Sequence, residues 1–282
     1  MKKNDDWTIL KIILWTTKYF QKNKIKNARL EVEWFLCHIL SCKRIDLYLQ
    51  FEKKLNENKL NVFKGMITRR ASGEPFQHII EKGTFYGRDF IVNSNVLIPR
   101  PETELIIDRV KEKKFTSSIL DVGTGSGCIA ITCFLEKLCN NIFAIDISND
   151  ALKVAKKNAA YYNATSIKFK LHDFLNDKLN KKFDVILSNP PYIESKQMEN
   201  LPNDVRKFEP HIALTDNKDG LSFYNKFATS FNNMINPNGC LILEINDKIK
   251  LEKILNIFHA KNLQTNVFKD LQNDNRVLEI SK

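Results

Sequence analysis

Apolar positions change their spacing twice along this chain. From Trp7 to about Ile80 they recur every three or four residues, through Trp7, Leu10, Ile13, Leu14 and Thr17 and again through Leu30, Trp34, Cys37, Ile39 and Leu40. That spacing lines up side chains on one face of a helix. Asn27-Ala28-Arg29 predicts a helix start ahead of Leu30, and Leu47-Tyr48-Leu49 leads to a polar break at Asn56-Glu57-Asn58. A further helix is predicted over 59–70, closed by Ser72-Gly73 and Pro75. The aromatic stripe here reads as the core of a small helical domain, residues 1–80. The spacing then shortens: Thr84-Phe85-Tyr86 and Phe90-Ile91-Val92 flank Gly87-Arg88-Asp89, predicting a β-hairpin that turns at 87–89. Val96-Leu97-Ile98 runs on into Pro99-Arg100-Pro101, so 81–100 reads as a linker.

From 101 to 282 short apolar runs alternate with helical stretches, the pattern of a parallel sheet in an α/β domain. Candidate strands are 118–122, 142–146, 167–171, 183–188 and 239–245, with two more near 266–269 and 276–280. Candidate helices are 128–138, 150–162 and 221–234.

Composition narrows the setting more than the chemistry. Hydrophobic residues make up 43% and charged residues 27% of the 282, ordinary for one or two globular domains. No run approaches the roughly 18 consecutive apolar residues of a membrane span. The start, Met1-Lys2-Lys3-Asn4-Asp5-Asp6, has no secretory h-region, so a cytoplasmic protein with no membrane partner is expected. Cys37, Cys42, Cys128, Cys133, Cys139 and Cys240 form no CxxC pair and no zinc-ligand spacing, so neither a metal nor a disulfide framework is expected. The net charge of +11 favours anionic surroundings such as ribonucleoprotein. Its lysines, however, fall in runs such as 111–114 and 178–182 that read as solvated faces, so charge does not name a substrate.

Two motifs carry chemistry. In Ile119-Leu120-Asp121-Val122-Gly123-Thr124-Gly125-Ser126-Gly127 a strand runs into a glycine-rich turn and then a helix. Asp146 ends the next apolar strand, about 20 residues on, where an acid can accept from ribose hydroxyls. A dinucleotide site would place G-x-G-x-x-G at the helix N-terminus to receive a pyrophosphate. Here the glycines are spaced G-x-G-x-G behind Asp121, an acid that repels pyrophosphate and suits the cationic methionine end of S-adenosylmethionine. After the third strand, Asp173 can accept from an adenine amine and Phe174 can stack on it; equally, Asp173 can cap a helix and Phe174 can be core.

The second motif, Asn189-Pro190-Pro191-Tyr192, follows the run 183–188. Neither proline can donate to a strand ladder, so the chain must leave the sheet at Asn189, at the carboxyl edge where open α/β sheets bind ligands. Held carbonyls, the Asn189 amide oxygen and the flat face of Tyr192 suit a planar NH2 group, which from these residues alone is either a base or an amide.

Together these residues resemble the class I S-adenosylmethionine methyltransferases, and more narrowly the bacterial release factor glutamine methyltransferases. The resemblance extends to Arg69-Arg70, Gly73-Glu74-Pro75, Gly83 and Gly87, the run from Val96 to Glu104, Glu209-Pro210, Ala213-Leu214, Asp219-Gly220-Leu221, Asp270-Leu271 and Arg276-Val277. It departs at Glu244-Ile245-Asn246-Asp247-Lys248, where the family pattern has a Gly and later a Gln. It implies a Rossmann-like α/β domain with a seven-stranded sheet, a helical domain that docks the protein substrate, and a hairpin linker. It implies S-adenosylmethionine, leaving as S-adenosylhomocysteine, held by Asp121, Gly123, Thr124, Gly125, Ser126, Gly127, Asp146, Asp173, Phe174 and Asn189. It implies that Asn189, Pro190, Pro191 and Tyr192 hold the glutamine of a Gly-Gly-Gln loop in peptide chain release factors. On this reading the protein acts as a monomer without needing direct nucleic-acid contact. The competing activity is methylation of an exocyclic amine of DNA or RNA.

Overall fold

The computed structural model describes residues 7–113, 116–245 and 250–282. The extreme N-terminus and the departure at Asn246-Asp247-Lys248 lie outside the described residues. The chain divides into two compact units, Met1–Glu81 and Lys82–Lys282.

The first unit holds α1 (Ile9–Lys22), α2 (Ala28–Leu40), α3 (Arg44–Leu49), α4 (Glu57–Ala71) and α5 (Phe76–Ile79). Thr8 caps α1 by accepting the Lys11 N–H, and Asn56 caps α4 by accepting that of Lys59. The stripe expected on α1 is rotated. Ile9, Ile12, Ile13, Thr16 and Phe20 are buried while Leu14 is exposed. Five apolar residues between 9 and 14 offer more than one face, and the Ile9 and Leu10 N–H groups settle it by bonding to the 51–53 segment. Trp34 likewise turns outward, its ring against Phe76 at 5.5 Å.

The second unit opens with a hairpin, β1 (Lys82–Phe85) and β2 (Arg88–Ile91), paired Phe85 to Arg88. Its turn is Tyr86-Gly87, one residue earlier than expected, with φ of 51° and 70°. Two positive φ values match the strand twist in a two-residue loop. Tyr86 is held there by its N–H on the Glu104 carboxylate (2.7 Å) and its hydroxyl on Asp108 (2.8 Å).

There follow α6 (Glu104–Lys111), β3 (Ile119–Val122), α7 (Cys128–Leu135), β4 (Ile142–Asp146), α8 (Asn149–Tyr161), β5 (Lys168–Leu171) and β6 (Phe183–Ser188). Next come α9 (Asn203–Phe208), α10 (His211–Leu214), α11 (Ser222–Met234), β7 (Ile235–Glu244), α12 (Leu251–His259), β8 (Gln264–Lys269) and β9 (Asn275–Ser281). Among the described residues seven strands form one sheet in the order β5-β4-β3-β6-β7-β9-β8. All neighbours are parallel through β7, and β9 is antiparallel to both β7 and β8.

Alternate side chains feed two cores, as a period of two requires. Ile119, Val185, Leu187 and Ile242 pack with residues of α6, α7 and α8. Leu120, Ile186, Leu241 and Leu243 pack with Tyr224, Phe227 and Phe231 of α11 and Phe258 of α12. The hairpin joins the first core through Phe85 and Phe90. Buried Asn158 of α8 donates to the carbonyls of Ile91 and Ser126 and accepts the Ile91 N–H at 2.7 Å, tying the hairpin to the glycine-rich turn.

Candidate active site

The strand order reverses between β3 and β6, and open α/β sheets bind ligands outside the carboxyl ends at such a point. The register sets Val122 opposite Ser188, whose hydroxyl donates to the Val122 carbonyl at 2.8 Å. Gly123 and Asn189 therefore leave the sheet side by side, although 66 residues separate the two motifs. A cavity of about 280 Å³ opens there, lined by Gly123 to Ser126, Asp146, Asp173, Phe174 and Asn189 to Pro191.

The turn from Gly123 to Gly127 is built to leave room. The Gly123 and Thr124 N–H groups bond to Ile145 O, and the Gly125 N–H donates to the Asp146 carboxylate at 2.9 Å. Gly127 adopts φ 81°, and a Cβ on it would lie 2.9 Å from Ile131 Cδ1 and 3.2 Å from Ala155 Cβ. Helix α7 can thus start tight against α8. A Cβ on Gly123 would meet nothing within 4 Å, so open space faces the turn. Asp146 also accepts the Ser148 N–H at 2.9 Å, and burial raises its pKa above the ordinary value despite these bonds.

Asp121 lies elsewhere than expected. Its carboxylate is fully buried, takes the Thr124 hydroxyl at 2.6 Å, and is not part of the cavity wall. It fastens the turn from below, and burial pushes its pKa up to about 7, against the hydrogen bond from Thr124. Both readings of 173–174 meet in the structure. Asp173 accepts the N–H groups of Leu175 and Asn176 and the Asn176 side-chain amide, closing a turn rather than capping a helix. Phe174 stacks on Phe223 and tilts against Phe227 in the core, while both 173 and 174 also border the cavity. Tyr192 is half-buried against the α11 core and is not part of the cavity wall.

Three features around Asn189 were not foreseen as site residues. Its Nδ2 donates to Thr103 Oγ1 at 3.1 Å, and that hydroxyl donates to Glu244 Oε2 at 2.5 Å. Thr103 and Glu244 are 3% and 2% exposed, so water does not compete for either bond. Burial pushes the Glu244 carboxyl up to about 7; Thr103, Arg276 and Arg100 oppose the rise and Glu102 adds to it. Arg100 forms a forked ion pair with buried Glu209 at 2.6 and 2.8 Å, bracing the segment before Pro210. The signal for Glu244 was an acid at the carboxyl end of a buried strand. Among the described residues no group of three or more His, Cys, Asp or Glu is placed to hold a metal ion, and no helix is long and apolar enough to cross a membrane.

Comparison with known proteins adds the family. Residues 11–80 match the PrmC N-terminal domain, 101–204 the methyltransferase small domain, and 160–277 the Eco57I restriction-modification methylase. A release factor glutamine methyltransferase of Geobacter sulfurreducens is 37% identical over 247 residues, covering 86% of each chain. One from Chlorobaculum tepidum is 35% identical over 285 residues, covering 96% of this chain and 94% of the relative. A methyltransferase structure from Pyrococcus furiosus shares the fold at a TM-score of 0.53 and 19% identity, covering 70% of this chain and 89% of that one. With identities above a third across almost its whole length, the chain belongs to the release factor glutamine methyltransferase family.

Proposed function

We propose that this protein transfers a methyl group from S-adenosylmethionine to the side-chain amide nitrogen of the glutamine in the Gly-Gly-Gln loop of peptide chain release factors, in the cytoplasm. The observation that carries this is the pairing of Val122 with Ser188, which brings the glycine-rich turn and Asn189-Pro190-Pro191 to one cavity. Family membership supports the choice of acceptor. The helical unit, residues 1–80, would dock the release factor.

The residues present suit the methyl donor. Open space above Gly123, the Asp146 carboxylate and the wall at 173–174 would take its methionine, ribose and adenine parts in turn. When bound, it supplies an electrophilic methyl on a sulfonium. The chain's own part is to present the nucleophile. A primary amide nitrogen is weak because its lone pair is shared with the carbonyl. Asn189 Oδ1 and the Pro190 carbonyl each accept one amide hydrogen, turning the nitrogen toward the methyl and enriching it in electron density. Pro190 and Pro191 hold these acceptors in place because their φ angles are fixed. Such positioning contributes up to roughly 7–11 kcal/mol at best. No strong base is needed first, since the nitrogen becomes acidic after it gains the methyl and then gives up its proton to water. Tyr192 packs beside the segment and steadies it.

The test is incubation with isotopically labelled methyl donor and either release factor or nucleic acid. Label on release factor supports the proposal. Label on DNA or RNA would select the exocyclic-amine alternative, which the match at 160–277 makes the relevant control.

A further inference from the structure

We propose that Thr103 and Glu244 are positioning residues that decide which end of the Asn189 amide faces the acceptor. This rests on the function proposed above and adds a device to it. The Thr103 hydroxyl has one hydrogen, and it is spent on Glu244 Oε2 at 2.5 Å. What Thr103 can still offer Asn189 is a lone pair, which only Nδ2 can meet, and Nδ2 lies 3.1 Å away. Oδ1 is then the end of the amide left for the cavity that Asn189 lines. An acceptor is what an incoming NH2 group requires there. A reversed amide would set NH2 against NH2 and abolish the clamp.

The chain of bonds runs in this direction only while Glu244 is ionised. A protonated Glu244 gives its hydrogen to Thr103 Oγ1, which frees the Thr103 hydrogen for Asn189 Oδ1 and turns Nδ2 toward the cavity. Arg276 and Arg100 favour the ionised carboxylate, and Glu102 and burial oppose it. Methyl transfer therefore rises as pH climbs through the titration of this carboxyl.

Four variants read the device by single-turnover methyl transfer to release factor, with donor affinity measured in parallel. Thr103→Val should slow transfer by about 10- to 100-fold, the scale of a misplaced reacting group, and leave donor affinity unchanged. Thr103→Ser, which keeps the hydroxyl, should stay within about threefold of wild type. In an Asn189→Ala background, Thr103→Val should cost nothing further, because its partner is gone. Glu244→Gln accepts without titrating near neutrality, so its rate should be flat between about pH 6 and 8, where the wild-type rate rises. A Thr103→Val rate equal to wild type, a loss that multiplies with Asn189→Ala, or the same pH profile in Glu244→Gln would overturn the proposal while glutamine methylation stands. A wild-type protein that puts no methyl on glutamine would overturn the underlying function, and the device with it.

Discussion

Gly220 sits 28 residues beyond Tyr192 in the chain and directly behind it in space. It adopts φ 77°, and a Cβ built on it would lie 2.8 Å from the Tyr192 carbonyl carbon, with the oxygen nearer still. Nonbonded carbon pairs prefer about 3.5–4.0 Å, so Gly220→Ala requires a shift of about 1 Å. The neighbour is backbone and cannot swing aside as a side chain would. Gly220 is itself pinned, because Asp216 accepts the N–H groups of Lys218, Gly220 and Ser222 at 2.8, 2.9 and 3.0 Å. Much of the displacement therefore falls on Asn189-Pro190-Pro191-Tyr192. The left-handed backbone adds about 1–2 kcal/mol for a residue with a Cβ. A misplacement of about 1 Å costs on the order of 100-fold in rate. Donor binding should be spared, since Gly123, Gly125 and Asp146 lie on other strand ends. The assay is single-turnover methyl transfer beside equilibrium binding of the donor. A Gly220→Ala protein with transfer within threefold of wild type would contradict a backbone clash at Tyr192, as would equal losses of transfer and donor affinity.

Asp146→Ala removes the carboxylate that takes the Gly125 and Ser148 N–H groups; donor affinity should fall by about 10- to 100-fold, read by calorimetry. Asp184 accepts from the Ser117 and Ser118 N–H groups and from Asn236; burial pushes its pKa up, but these bonds outweigh it and hold the group at about 2. A depressed carboxyl contributes stability above its ordinary pKa and loses it as pH falls toward 2, so Asp184→Ala should cost about 1–3 kcal/mol at neutral pH and much less near pH 2, by denaturant melts. Asp121 and Glu244 are shifted the other way, both to about 7. Their contribution is complete below the ordinary carboxylate range and is lost as pH rises through 7; Glu244→Gln should therefore flatten the fall in melting temperature between about pH 5 and 8, and an unchanged slope would contradict the assignment.

Much of this architecture is legible in the sequence because strand ends coincide with chemistry that cannot continue a ladder. β6 stops at Ser188 since Asn189-Pro190-Pro191 follows, and β3 stops at Val122 since Gly123 follows. Helices without such punctuation were missed: α6 lies hidden behind Pro99-Arg100-Pro101, and α9 and α10 are only six and four residues long. The hairpin turn moved by one residue because Tyr86 accepts a positive φ that its bonds to Glu104 and Asp108 sustain. At the site, each motif was readable alone, but their adjacency depends on register between strands 66 residues apart. Local pattern was least informative about Thr103 and Glu244, whose hydrogen bond spans 141 residues. Asp121 shows the converse: the motif marks it, yet burial turns its carboxylate into a fastener of the turn.

On the function proposed above, Asn189 to Tyr192 clamp a protein glutamine for methylation. Tandem mass spectrometry of a release factor after incubation with the donor and either wild-type or Asn189→Ala protein tests it most directly. Wild type should place the methyl on the side-chain amide of the Gly-Gly-Gln glutamine, and Asn189→Ala should bind the donor normally yet methylate that glutamine far more slowly. A methyl on any other residue, or equal modification by the two proteins, would contradict the account.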